Sequence, residues 1–358
     1  MSPTPLVSSL VLVLALVVGG CSSASAPTDA PSVAVAACAS GADTAKVPLN
    51  DLGRGCYLGF QGGLYPDGVN TPPAAHLAAG QAAGARIQPL DPNGQPSASG
   101  KIVLLSIGMS NATQEFCSDG GLPGSCASYS FIGQATADSA VNHTTLALVN
   151  GAYGGRTTSV WTSPTAPDYD RIRDTWLRPL GLSERQVQAA WVKLANAQPR
   201  VSLPDTAADA YAMERQLGDV MRALKVRYPN LREVFLTSRI YAGYATSALN
   251  PEPYAYETGF AVKWLIGAQI DQMAGRAADR RAGSLRYDTG EAPWIAWGPY
   301  PWAAGAQPRA DGLSWAPSDF NPSDRTHPAQ SARQKVGAML LQFFETSPAT
   351  RCWFLARC

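Results

Sequence analysis

Five short apolar runs, at residues 102–107, 145–150, 187–192, 233–236 and 294–297, recur along the 358-residue chain with helical or loop-like stretches between them. Apolar runs of this length bounded by turn residues read as buried strands. Strands separated by helices need crossover connections, so they pair in parallel and are covered by helices on both faces. The spacing therefore predicts a three-layer α/β/α sandwich with a five-stranded parallel sheet. It predicts a single domain over residues 46–358 and shows no internal repeat. Between the runs, Met213, Leu217, Val220, Met221 and Leu224 share one face at the helical period, and Pro229 marks where that helix must stop. Further helices are expected over 129–141, 254–273 and 328–345, while the Gly-, Pro- and Ala-dense stretch 57–99 reads as an irregular segment wrapping the sheet.

The formal net charge is +1 and 15% of residues are charged, without a basic stripe, which argues against nucleic acid as a partner. Residues 5–20 are apolar and end in Gly19-Gly20 directly before Cys21, which reads as a signal peptide over 1–20. Val18-Gly19-Gly20-Cys21 resembles the lipobox of bacterial lipoproteins, in which the cysteine carries a diacylglycerol. That resemblance implies an exported protein anchored by Cys21 to a bacterial membrane, facing periplasm or cell exterior. Each buried acyl methylene would add about 0.8 kcal/mol. The alternative is an ordinary signal with an incidental cysteine. Residues 21–45, rich in Ser, Ala, Pro and Thr, read as a flexible tether. The other six cysteines are an even number, which in an exported chain favours disulfides, and proximity pairs Cys38 with Cys56, Cys117 with Cys126, and Cys352 with Cys358. No Cys-x-x-Cys spacing suggests a metal, and no cofactor is called for. Asn111-Ala112-Thr113 and Asn142-His143-Thr144 match the glycosylation acceptor pattern, which in a bacterial lipoprotein is coincidence.

The first run continues into Gly108-Met109-Ser110-Asn111 and then into a helix, placing a serine at the carboxyl end of a strand, where open α/β sheets bind ligands. Its bland reading is a helix cap. Near the other end of the chain stands Asp324-Arg325-Thr326-His327-Pro328. A carboxylate three residues before a histidine can turn back to accept the Nδ1 proton, leaving Nε2 to take a proton from a serine. Its bland reading is a surface loop. His76 and His143 read as packing or structural residues.

A serine after the first strand, a glycine-rich turn after the second, an asparagine after the third and Asp-x-x-His before the last helix follow the order of the SGNH, or GDSL-type, hydrolases. Residues 101–344 resemble that superfamily, and Gly108-Met109-Ser110-Asn111 resembles the Gly-Gln-Ser-Asn block of its carbohydrate-esterase branch, which includes sialate O-acetylesterase-like proteins. Ala152-Tyr153-Gly154-Gly155-Arg156-Thr157 resembles the second block, Lys193-Leu194-Ala195-Asn196 the third, and the Asp324–His327 segment the last, with Arg325 in place of the usual glycine. The resemblance implies a flavodoxin-like fold and a serine hydrolase acting on carboxylic esters, with Ser110, Asp324 and His327 catalytic. The oxyanion donors it implies are the amides of Ser110 and Gly155 and the side chain of Asn196, with Gly154, Lys193 or Ser238 as substitutes. Glycine at 155 is expected to permit close backbone approach. Asn111, Trp161, Arg239 and Tyr241, near strand ends, are expected as possible substrate contacts. The substrate would be an acylated small molecule or glycan, with acetyl esters of carbohydrate favoured. The alternative is a non-catalytic surface lipoprotein of the same fold that binds glycan or a protein partner.

Overall fold

Along the first long strand, Val103, Leu105 and Ile107 point into one hydrophobic cluster and Ile102 and Leu104 into another, the period-two alternation of a sheet buried on both sides. The computed structural model describes Met1, Cys38 and residues 43–118 and 125–358. The signal peptide, Cys21 and most of the tether lie outside the described residues. The strands are β1 (Cys56–Tyr57), β2 (Phe60–Gln61), β3 (Ile102–Gly108), β4 (Leu146–Asn150), β5 (Val187–Lys193), β6 (Glu233–Thr237) and β7 (Trp294–Trp297). The first two form a small antiparallel ribbon; the other five pair in parallel in the order β4-β3-β5-β6-β7. All five expected strands are present, within a residue of the predicted bounds.

The helices are α1 (Leu49–Leu52), α2 (Ala74–Gly84), α3 (Ser110–Phe116), α4 (Phe131–Ala137), α5 (Pro167–Arg171), α6 (Asp209–Arg227), α7 (Tyr254–Met273), α8 (Gln330–Thr346) and α9 (Arg351–Phe354). Helices α6 and α7 cover one face of the sheet through Met213, Leu217, Val220, Met221, Leu224, Val262, Leu265 and Ile266. Helices α3, α4 and α8 cover the other through Ala112, Phe116, Phe131, Ile132, Val336, Leu340 and Phe344. Cys38–Cys56, Cys117–Cys126 and Cys352–Cys358 are disulfide-bonded, as sequence proximity suggested.

The stretch 57–99 departs from expectation, because it contains the eleven-residue α2. Its buried face is His76, Gly80, Ala83 and Gly84, a helical spacing made of one histidine and three small residues. His76 is sealed there: its Nε2–H donates to the Ile295 carbonyl at 2.9 Å, and its ring packs near Trp294.

The sheet order places the topological switch between β3 and β5, since the chain leaves β3 for one neighbour and later returns to the other side. Residues just beyond the carboxyl ends of those two strands therefore face a common crevice. Ser110 follows β3 and Asn196 follows β5.

Candidate active site

Strand β3 turns into α3 at Gly108-Met109, with Ser110 the first helical residue. A Cβ on Gly108 would stand 2.5 Å from both the Ala112 Cβ and the Lys193 carbonyl oxygen, so only glycine allows strand and helix to meet this closely. Across the crevice, the segment before α8 folds back on itself. Asp324 Oδ1 accepts the main-chain N–H groups of Thr326 and His327 at 2.9 and 3.1 Å, and Oδ2 accepts the His327 Nδ1 proton at 2.5 Å. With Nδ1 carrying the proton, Nε2 is the ring's acceptor, and it receives the Ser110 hydroxyl at 2.9 Å. Burial would raise the Asp324 carboxyl, but the Thr326 amide and the His327 ring and amide outweigh it and hold the group below the usual carboxylate range. The Asn111 side chain donates to the Thr326 carbonyl at 3.3 Å, tying the serine turn to the histidine loop. Arg325, where the family pattern has glycine, adopts φ +50, the left-handed conformation that glycine takes without strain.

The turn after β4 supplies the third side. Tyr153 N–H donates to the Gly108 carbonyl at 3.1 Å, fastening residues 151–157 beside the serine. The buried Asp168 carboxylate holds Arg156 at 2.7 Å and Arg171 at 2.9 Å, and Arg171 donates to the Gly151 carbonyl. Gly155 has φ +76, while a Cβ there would meet nothing within 4 Å. The left-handed backbone by itself calls for glycine at this position. Gly154 is the nearer neighbour, its Cβ position 3.9 Å from the Ser110 Cβ.

Ser110, Asn111, Gly154, Gly155, Asn196, Arg239, Leu249, Asn250 and His327 line one cavity of about 300 Å³, a size that suits a small-molecule ligand. The Asn196 carbonyl is fixed by the Asn250 side chain at 3.0 Å, and its own side-chain amide makes no hydrogen bond among the described residues.

Trp161 and Tyr241 do not line this cavity. Trp161 is fully buried against Tyr169, with its indole N–H on the Arg156 carbonyl, and so supports the glycine-rich turn from below. The Tyr241 ring packs on Tyr244 and Trp302. Lys193 and Ser238 are likewise removed as substitute donors. Ser238 is sealed, with its hydroxyl on the Arg239 carbonyl, and the Lys193 ammonium is turned away into the core. Lys193 there meets Glu115 of α3 at 2.6 and 2.7 Å, an ion pair with both side chains at 0% exposure. Burial pushes the Glu115 carboxyl up and the Lys193 ammonium down, to about 8, while each partner's charge opposes the other's shift. Sequence reasoning missed Glu115, Leu249 and Asn250. For Glu115 the available signal is a carboxylate five residues after the serine on a short buried helix; nothing in the sequence names its partner.

No group of three His, Cys, Asp or Glu side chains placed to hold a metal ion occurs among the described residues. No protein-family model and no curated protein matches the chain. Among solved structures, the chain is similar to a variant of an acetyl-xylooligosaccharide esterase from Geobacillus, at 15% identity over 69% of this chain and 94% of that one, with a TM-score of 0.36. It is similar to a carbohydrate esterase family 2 enzyme with a carbohydrate-binding domain from Corynascus, at 13% identity over 70% and 68% of the two chains and a TM-score of 0.37. A carbohydrate acetylesterase from Sinorhizobium meliloti is similar at 11% identity over 68% and 97%, with a TM-score of 0.35.

Proposed function

We propose that the chain is an extracytoplasmic serine esterase that forms an acyl-enzyme on Ser110. The observation that carries this reading is the hydrogen-bonded series from Ser110 through His327 to Asp324, opening on a cavity. In this reading Ser110 Oγ attacks the ester carbon while His327 Nε2 takes the hydroxyl proton, and Asp324 stabilises the imidazolium. The tetrahedral adduct collapses, the C–O bond to the alcohol breaks, and His327 returns its proton to the leaving oxygen. Water, deprotonated by the same nitrogen, then cleaves the acyl-enzyme to a carboxylic acid and free Ser110. The amides of Ser110 and Gly155 and the Asn196 side chain are proposed to receive the developing oxyanion, each such donor commonly contributing about 3 to 4 kcal/mol.

Acetyl esters of carbohydrate are the favoured substrate, supported by the resemblance of Gly108-Met109-Ser110-Asn111 to the carbohydrate-esterase block. Anchoring through Cys21 is supported by its lipobox-like context, and export by three disulfides of the kind that oxidising compartments preserve. The test is fluorophosphonate labelling with peptide mapping, alongside turnover of para-nitrophenyl acetate. Label on Ser110 and ester turnover are expected. A folded protein that shows neither refutes the reading.

A further inference from the structure

We propose that Arg239 recognises a carboxylate on the ester substrate, so that the cavity selects anionic esters; this rests on the esterase reading above. Arg239 follows β6, is 2% exposed, and lines the same cavity as Ser110 and His327. Its main chain is satisfied, with N–H on the Thr258 hydroxyl at 3.0 Å and the carbonyl accepting the Ser238 hydroxyl. Its guanidinium is not: it makes no hydrogen bond to another described residue, and Nε is buried without a partner. The carboxylates whose field reaches it, Glu115 and Glu252, are already committed. Lys193 holds both oxygens of Glu115, and Trp302 with two main-chain amides holds those of Glu252. No carboxylate among the described residues lines the cavity.

A buried guanidinium presents five donors in a rigid planar fork, and leaving such donors unmade is costly. Among the described residues the fork has no acceptor, which leaves it open to one supplied by a ligand. A substrate hydroxyl would satisfy one donor and leave the charge uncompensated. A carboxylate matches both the plane and the charge, through two parallel N–H···O bonds. That carboxylate can sit on the acyl group or on the alcohol.

Calorimetric titration of the full chain with succinate and with succinamide tests the recognition independently of turnover. Succinate is expected to bind at least about tenfold more tightly, since hydrogen bonds to charged groups are the strong ones, and Arg239→Gln to abolish the difference. Equal binding of the two, or no binding of either, overturns the proposal. Should Arg239→Gln fail to fold, Arg239→Lys, which keeps the charge and loses the fork, is expected to narrow the ratio. Two kinetic comparisons place the carboxylate. Preference for para-nitrophenyl hemisuccinate over its methyl ester puts it on the acyl side, and preference for O-acetylated glucuronic acid over O-acetylated glucose puts it on the alcohol. No preference in either comparison, with para-nitrophenyl acetate still turned over, overturns the inference and leaves the esterase reading standing. Absence of all turnover with the succinate preference intact overturns the esterase reading instead.

Discussion

Helix α3 carries two hydrogen-bonded connections to distant parts of the chain, and they differ in one respect. At its first residue, Ser110 reaches His327 and Asp324 across a water-accessible crevice, where the three side chains are half-buried. Five residues later, Glu115 reaches Lys193 at the end of β5 with neither side chain touching solvent. Both contain a hydrogen-bonded carboxylate. In the proposed esterase reading a proton moves along the first, which solvent and a ligand can enter; the second, with both side chains at 0% exposure, admits neither. The comparison teaches that charge near a site serves chemistry only where its protonation can change at low cost; sealed charge serves position.

The sharpest way to break this contrast is at the open end. Ser110→Ala is expected to lower kcat for ester hydrolysis by about ten-thousandfold or more, with His327→Gln close behind, because members of such a unit fail together. Unfolding midpoints of both variants should stay near the parent's. At the sealed end the pattern should invert. Lys193→Met leaves a buried carboxylate uncompensated and is expected to cost about 3 to 5 kcal/mol in urea unfolding, whereas the Glu115→Leu/Lys193→Met double variant should return to within about 1 kcal/mol of the parent. A double variant as unstable as the single one would show that the pair is more than a neutralised couple.

The two histidines sharpen the same contrast through pH. Burial lowers the His76 pKa from 6.5 to about 4, with the Ile295 carbonyl only partly restoring it. The unfolded chain therefore binds a proton between these values that the folded chain refuses. Stability from His76 is fully present above pH 6.5 and is lost as pH falls towards 4, by about 3 kcal/mol at most. His76→Gln should flatten that part of the stability curve. The smallest effect belongs to Arg325. Releasing its left-handed backbone gains about 1 to 2 kcal/mol, and the added chain freedom of glycine takes back about 0.5 to 1 kcal/mol. Arg325→Gly should therefore raise Tm by about two degrees or less.

The sheet was legible because its strands are buried on both faces, so each appears as an unbroken apolar run bounded by turn residues. Helix α2 was not, because apart from His76 its packing face is made of glycine and alanine. Close approach holds it in place: a Cβ on Gly80 would lie 2.3 Å from the Trp294 ring. Small residues pack well and leave almost no hydrophobic period to read. The serine, histidine and aspartate were legible as motifs at strand and helix ends, where local backbone direction limits where a side chain can go. Trp161 and Tyr241 also follow strands along the chain, though at greater distance than Ser110, and their rings pack inward, since a large apolar ring gains more by burial than by lining a crevice. Glu115 and Lys193, 78 residues apart, could be paired only by the fold itself.

The bond from Asn111 to the Thr326 carbonyl has a consequence for how the protein can be made. Asn111-Ala112-Thr113 is an acceptor sequence for N-linked sugar, and in the folded chain Asn111 is 2% exposed, with its amide committed to the histidine loop. In a eukaryotic secretory host, an oligosaccharide attached there before folding would occupy the space that the loop must close over. Material from such a host would carry the serine and the histidine on separated walls, and a failure of the esterase tests with it would report on the choice of cell, not on the proposed function.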